Sequence, residues 1–309
     1  MSEVTTADTT SRDADLHVPL ERVNFAPGMM LGVDATVAEQ TYHRMRVSRH
    51  NYWFHGVGTL FGLAVTLDPV SSDDANSNTT TRLKVSPGIG IDGLGREVMS
   101  FEPYCVNLGD WFADQLADPQ NRLADGEINT TTGSGKAINL LITMKYSACT
   151  TGLQPVLARK VNAGTDPVQA SRTRDSLQLD IIPAPGPDAA AIFTRPGLAL
   201  TDIDPDTDTT SAEQAHLASL SGDAARLARL QAQMLYGIEA DLGRLELHGD
   251  PEDLARVLLA TVTVPLRAAA LPDYDPHINP EVIDINNLVR PFVNTADQFA
   301  WLAATETTS

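Results

Sequence analysis

Cysteine is nearly absent from this chain of 309 residues, which contains two, Cys105 and Cys149. Two thiols cannot build the disulfide framework that stabilises small secreted domains. Neither cysteine has a second cysteine or a histidine at the spacing of zinc ligands. We therefore interpret both as half-buried thiols that pack as small hydrophobic side chains.

Lysine is also scarce, and only 4 of the 22 basic residues are lysines. The 40 acidic residues outnumber the basic ones and give the chain a formal net charge of -18. Such a surface repels the phosphates of nucleic acids and of anionic membranes, so we expect neither as a partner. Two explanations stay open. One is adaptation to a salt-rich cytoplasm, where screening removes the self-repulsion, and the other is a biased composition of the source organism. The abundance of Asp and Thr beside so little Lys favours the first.

Long apolar runs are missing, and none reaches the roughly 18 residues that a membrane-spanning helix needs. The first residues, MSEVTTADTTSRDADLH, are polar and acidic. They lack the basic and apolar regions of a secretory signal peptide. We expect a protein that is made in the cytoplasm and does not insert into a membrane.

Catalytic motifs are missing as well. The sequence contains no G-x-S-x-G, no H-E-x-x-H and no paired-carboxylate motif. The segment TTTGSGK lacks the spacing of a P-loop, and no phosphate-facing helix is predicted after the G-x-G-x-x-G formed by Gly88, Gly90 and Gly93. We expect no enzymatic activity and no cofactor.

Metal ligands do not cluster in the sequence either. His43 and His50 lie two helical turns apart, about 10 Å along the axis, which is too far to share one ion. The aspartates of DIDPDTDTT lack the central Gly and the closing Glu of an EF-hand loop. We predict no metal site and interpret the aspartates as a solvated linker.

The sequence is densest in glycines, aromatic residues and positive charge between Arg22 and Glu97. Its patterns predict an α+β fold, with a β-rich core, an N-terminal helix, and a C-terminal helical hairpin plus strands. We expect four parts. The first is a flexible N-terminal tail over 1–19, and the second is a β-rich domain over 20–185 with one long helix over 37–54. The third is an acidic linker over 186–210, and the fourth is a helical hairpin with closing strands and a short final helix over 211–309.

The helix over 37–54 is the best-marked element. Thr36 and Glu39 have the spacing of a capping box, and Gly56 suits a left-handed C-terminal cap. One face is apolar, and another carries basic side chains that we predict to contact an acidic neighbour. The predicted interaction residues are His43, Arg44, Arg46, Arg49, His50, Trp53 and Arg96.

Short apolar or alternating runs predict strands over 60–67, 82–85, 88–91, 96–99, 137–146, 171–183 and 258–266. Asp92-Gly93 and Gly95 tolerate the positive φ of a tight hairpin turn. Helices are predicted over 110–116, 211–247 and 295–305, the last capped by Asn294, and one is predicted to start at Pro251. Within 211–247 an apolar stripe at helical spacing either faces the core or meets a neighbouring subunit. Its members are Leu220, Leu227, Leu230, Met234, Ile238, Leu242 and Leu245.

Several motifs are shared with a known family. Arg22 to Leu31 reads R-V-N-F-x-P-G-M-x-L, Glu39 to Arg46 reads E-Q-x-Y-H-R-x-R, and Val85 to Glu97 reads V-S-P-G-x-x-I-D-G-x-G-R-E. Further matches are R-H-N-x-x-x-H-G-x-G, R-x-R-D-S-L, L-L-A-T-V-T-V-P and N-N-L-V-R-P. With these motifs the chain resembles a family of phage tail-like proteins encoded beside contractile injection systems.

The resemblance implies a structural component of a contractile injection particle, at or around the baseplate, with no catalytic residues to carry over. It also implies contacts with baseplate, sheath or tube proteins and with copies of the chain itself. The particle would be assembled in the cytoplasm and later released from the cell. A second hypothesis stays open, namely a soluble carbohydrate- or receptor-binding module that stacks ligands on Tyr52, Trp53 and Trp111.

Overall fold

The computed structural model describes residues 20–69, 81–117, 131–132, 135–155, 168–184, 209–236, 250–268, 275–296 and 298. The predicted N-terminal tail over 1–19 lies outside these ranges, as do all but the last two residues of the predicted linker. The predicted α+β class is confirmed, because several helices accompany three sheets.

The N-terminal elements form two small sheets. Helix α1 (Val33–His50) continues as one π-helical turn over Asn51–His55. Strands β1 (Gly58–Gly62), β4 (Gly88–Ile91) and β5 (Glu97–Ser100) form one antiparallel sheet. Strands β2 (Val65–Pro69), β3 (Thr81–Val85) and β6 (Tyr104–Asn107) form the other, and helix α2 (Leu108–Ala117) follows β6.

The third sheet has six strands and is built around one long hairpin. Its strands are β7 (Thr131–Thr132), β8 (Gly135–Pro155), β9 (Val168–Pro183), β10 (Arg256–Ala268), β11 (Asp275–Pro276) and β12 (Asp284–Asn286). Strand β8 lies between β9 and β10. Helices α3 (Ser211–Ser219), α4 (Gly222–Tyr236) and α5 (Pro251–Leu254) precede β10 in the chain.

The main core lies on one face of β8. Ile138, Leu140, Ile142 and Met144 alternate along this strand and are fully buried. Leu177, Leu179 and Ile181 pack against the same cluster, as predicted for one face of the strand over 171–183. The cluster also includes residues of β2, β3 and α2, so the six-stranded sheet and the β2–β3–β6 sheet share one core.

The long helix begins earlier than predicted, and its last turn is π-helical, so the helical segment ends at His55, one residue beyond the predicted end. It runs over Val33–His50 and starts at Gly32, which forms no side-chain cap, so the capping box of Thr36 and Glu39 is wrong. The side chain of Glu39 instead accepts a hydrogen bond from the backbone N–H of Val23 at 3.2 Å and pairs with His43 at 3.1 Å. Gly56 ends the helical segment with a positive φ of 82°, but its ψ of -155° lies outside the left-handed helical region, so the predicted left-handed cap is wrong.

The single strand predicted over 60–67 is also wrong, because the chain changes sheets at its middle. Gly62, the last residue of β1, and Leu63, which follows it, both have positive φ, 67° and 52°, and the chain leaves the first sheet there. Leu63 is completely buried there. The guanidinium of Arg290 donates to its carbonyl at 2.7 Å, which stabilises a backbone conformation that is unfavourable for leucine.

The continuous helix predicted over 211–247 divides into α3 and α4. Leu220 has extended backbone angles and ends α3, whose own start has a capping box between Thr210 and Glu213. Leu227, which belongs to the predicted stripe, is 56% exposed on α4, so the core-facing interpretation is wrong for this residue. The rest of the predicted helix, over 237–247, lies outside the described residues.

Two smaller predictions also change. Thr295, and not Asn294, caps the last helix, because its hydroxyl accepts from the backbone of Gln298 while the Gln298 side chain accepts from the Thr295 N–H. Of that helix, residues beyond 298 lie outside the described ranges. Cys105 is exposed rather than half-buried, whereas Cys149 is partly buried as predicted.

Candidate interaction surface

The turn between β4 and β5 is organised by Asp92. Its carboxylate is completely buried and accepts hydrogen bonds from the backbone N–H groups of Leu94 at 2.9 Å and Arg96 at 2.8 Å. The guanidinium of Arg96 donates to the second carboxylate oxygen at 2.7 Å. The same guanidinium lies over the ring of Tyr146, 5.2 Å from its centroid. Asp92 and Arg96 therefore form a buried ion pair that joins the turn to the long hairpin.

Burial changes the protonation of this pair. Removal from water raises the pKa of Asp92 to about 6, although the nearby positive charge of Arg96 and the donated hydrogen bonds act in the opposite direction. With a pKa of about 6, the Asp92 carboxylate takes up a proton in mildly acidic solution.

Two glycines let the turn press against neighbouring elements. Gly95 has φ of 74°, and a Cβ atom there would lie 1.9 Å from the backbone oxygen of Ser48 in α1. The side-chain amide of Asn51 donates to the Gly95 carbonyl at 3.1 Å. On the other side, the N–H of Gly93 donates to the carbonyl of Leu254 at 2.7 Å. The glycines and Asp92 thus hold α1, the β4–β5 turn and α5 together, which is a structural role.

A second junction lies in the loop after β12. The side chain of Asn287 accepts from the N–H of Val65 at 2.9 Å and donates to its C=O at 3.0 Å, so it satisfies both backbone groups as a strand would. Arg290 donates to the carbonyls of Asn287 and Leu63. Burial lowers the pKa of Arg290 to about 10, and the side chain connects the C-terminal loop to the β1–β2 corner.

A wide cleft of about 1110 Å³ opens between α1, the β5–β6 connection and the middle of the long hairpin. Its walls are chemically mixed, since three arginines, three acidic residues and several apolar side chains border it. They include Arg44, Arg96, Arg174, Glu97, Glu102 and Asp175, together with Val47, Met99, Phe101 and Tyr146. The cleft brings together two of the predicted interaction residues, Arg44 and Arg96.

The other predicted residues lie apart from the cleft. His43 is exposed and paired with Glu39, Arg46 is exposed, and His50 is exposed and stacks on Phe54. Arg49 is half-buried, and its pKa is lowered by burial and by the nearby charge of Arg46. Trp53 packs beside Met45 and Tyr52 in a small separate cluster. Of the seven predicted residues, Arg44 and Arg96 are therefore the two that line the cleft.

Helix α1 exposes most of its surface to solvent. Of its 18 residues only Met45 and Ser48 are buried. Apolar side chains are exposed before it and along its first half, with Met30 at 94% and Val33 at 78%. Phe25, Met29, Leu31 and Val37 are exposed as well. We call these six residues the apolar lead of α1.

The long hairpin continues beyond the rest of its sheet. Strand β10 pairs with β8 only over Ala137–Lys145. Strand β9 continues to pair with β8 as far as Pro155. Among the described residues no third strand joins this distal part, which we call the arm and define as Tyr146–Pro155 with Val168–Leu177. A two-stranded ribbon alone is marginally stable in water.

Neither a metal-binding cluster nor a membrane-spanning helix occurs in the described ranges. Within them, no three or more His, Cys, Asp and Glu side chains gather in an arrangement that would hold a metal ion. No described helix combines the length and the apolar character that crossing a membrane requires.

The aromatic residues of the binding-module hypothesis are largely packed. Tyr52 is 7% exposed and meets Trp53 edge to face at 5.0 Å. Trp111 packs against the main core and contacts Phe112 in the same way.

No protein-family model matches this chain, and no curated protein is significantly similar to it.

Sequence reasoning missed Asn287 and Arg290, although both lie in the motif N-N-L-V-R-P. Their signal was a charged residue and two amides inside an otherwise apolar closing segment. Only the fold shows that they contact Leu63 and Val65, more than 220 positions away.

Proposed function

We propose that this chain is a non-enzymatic structural component of a contractile phage tail-like injection particle, at or around the baseplate. The observation that carries the structural part of the proposal is the apolar lead of α1, whose six side chains lie exposed in one stretch of chain. Contiguous exposed apolar surface is typical of protein interaction sites. The contractile particle itself is proposed from the motifs shared with the phage tail-like family.

The arm supports the same proposal. A ribbon with two strands gains stability when a further surface covers it, and subunits of large assemblies bury such elements against their neighbours. The binding-module hypothesis has less support, because packing of Tyr52 and Trp111 leaves less ring surface on which a ligand stacks.

The direct test is purification of the tagged chain from its own cells in the salt of its native cytoplasm, followed by negative-stain imaging and mass spectrometry. We expect rod-shaped particles that contain sheath and tube proteins, with the tag at one end. A lone species without such proteins would refute the particle and would make a glycan screen the next experiment.

The apolar lead gives a sharper test. We expect Met30→Gln with Val33→Gln to keep the melting temperature, because both side chains are exposed in the free chain. Incorporation into particles should fall severely. The matched control is Leu235→Gln, which removes an apolar side chain that is 67% exposed on α4. Normal incorporation of the Met30/Val33 variant would contradict the role of the apolar lead.

A further inference from the structure

The arm presents a basic face. Partners across an antiparallel pair point to the same side, so Arg172 shares a face with Thr151, and Arg174 with Cys149. Both arginines are exposed. They lie two residues apart on β9, which separates their backbone positions by about 7 Å. Asp175 falls on the opposite face, where it accepts a hydrogen bond from the Tyr146 hydroxyl at 2.6 Å.

These two positive charges have no ion pair within the described part of the chain, whose salt bridges involve other residues. In the chain as a whole, the 22 basic residues are outnumbered by 40 acidic residues. A basic face on an extended element of an acidic protein is complementary to the acidic surface of a second copy.

One acidic surface matches the arm in spacing. Asp110 and Asp114 lie one turn apart on α2, about 6 Å along the axis, and both are exposed together with Ala113. The same helix buries Leu108 and Phe112 in the main core, which fixes its orientation. Among the described residues neither aspartate takes part in a salt bridge.

We propose that the basic face of the arm in one copy docks on the Asp110–Asp114 face of α2 in a second copy. Arg172 and Arg174 would pair with the two carboxylates. The two arginine positions are about 7 Å apart along β9 and the two aspartate positions about 6 Å apart along α2, so the spacings match. The contact joins two different surfaces, so it is head-to-tail and produces a ring or a filament. The inference rests on the proposed function, because a particle subunit present in many copies contacts copies of itself.

The test uses purified full-length chain and two charge-reversal variants. The arm variant carries Arg172→Glu and Arg174→Glu, and the helix variant carries Asp110→Arg and Asp114→Arg. Sedimentation velocity measures self-association at low and high salt. We expect each variant alone to associate at least about tenfold more weakly than the original chain, since like charges then face each other. High salt should weaken association of the original chain.

Mixing the two variants is the decisive step. In an equimolar mixture, the unchanged arm of the helix variant meets the unchanged α2 of the arm variant, and the reversed arm meets the reversed helix. Both kinds of contact are again complementary, so we expect association to recover to within about threefold of the original chain. Single Arg172→Glu should weaken association more than the control Arg22→Glu, which changes the charge equally at an exposed site outside the arm.

Three results would overturn the inference. The original chain could remain monomeric up to about 100 μM, the helix variant could associate normally, or the mixture could fail to recover. If the helix variant is misfolded by circular dichroism, Asp110→Asn with Asp114→Asn replaces it, and unchanged association of that variant counts against the inference. If particles from cells contain the chain but the mixed variants do not regain association, this contact alone is refuted. Recovery without any particle in cells would instead refute the proposed function.

Discussion

The α-carbon of Gly95 faces the backbone carbonyl of Ser48 so closely that a Cβ atom would lie 1.9 Å from the oxygen. This contact joins the β4–β5 turn to α1, and Asn51 reinforces it by a hydrogen bond to the Gly95 carbonyl. Gly95 is therefore required by close packing as well as by positive φ. Gly93 does not have the positive φ that was predicted for it, and is required because an added Cβ would lie 2.8 Å from the carbonyl oxygen of Leu254.

Replacing Gly95 by alanine should destabilise the protein strongly. The methyl group would overlap backbone atoms that cannot move without shifting α1, so we expect a loss of about 3–5 kcal/mol in the free energy of unfolding. Urea denaturation measures it. Gly28→Ala is the control, because Gly28 also has positive φ, 84°, but nothing lies within 4 Å of its added Cβ. We expect about 1–2 kcal/mol there, and equal losses would contradict the packing explanation.

Protonation of Asp92 should make a measurable contribution to the pH dependence of stability. Its pKa in the folded protein, about 6, lies above its value of about 3.9 in an unfolded chain. The folded state therefore binds more protons between these values. The contribution of Asp92 is fully present below about pH 4 and is lost as the pH rises through 6.

The measurement compares the original chain with Asp92→Asn at several pH values between 4 and 7. We expect the free energy of unfolding of the original chain, minus that of the variant, to decrease as the pH rises. The slope cannot exceed about 1.4 kcal/mol per pH unit for one group. A difference that is constant or increases with pH would show that burial does not raise this pKa.

The amide of Asn287 should be essential to the corner between β1 and β2. Asn287→Ala leaves the N–H and C=O of Val65 without their side-chain partner, and we expect a loss of about 2–4 kcal/mol. Asn287→Asp retains an acceptor for the Val65 N–H but loses the donor to the Val65 C=O. The loss of stability in this variant should therefore arise from the missing hydrogen bond to the C=O. Differential scanning calorimetry checks both variants, and full stability of the alanine variant would contradict this role.

Charge reversal at Arg46 and at Arg49 of α1 should change the free energy of unfolding by different amounts. Arg46 is exposed, so Arg46→Glu should change the free energy of unfolding by less than about 0.5 kcal/mol. Arg49 is half-buried, so its reversal should cost about 1–3 kcal/mol. Chemical denaturation measures both. Only Arg46→Glu is therefore a clean test of the predicted basic face, and its normal incorporation into particles would refute contact with an acidic neighbour there.

The local sequence was sufficient for elements with strong patterns. The alternation of Leu177, Leu179 and Ile181 predicted the core face of β9, and Asp92-Gly93 predicted the turn after β4. It was insufficient at the start of α1, where Thr36 and Glu39 suggested a cap. Glu39 instead contacts Val23 and His43, because the chain before the helix folds back along it.

The sequence by itself determined the α+β class, the acidic charge and the positions where glycine permits tight turns. These properties depend on composition and on contacts within a few residues. The tertiary structure alone decided that Leu63 separates two sheets, that Asn287 completes the backbone bonding of Val65, and that the arm extends beyond β10. These features depend on residues distant in the chain, whose proximity no local pattern encodes.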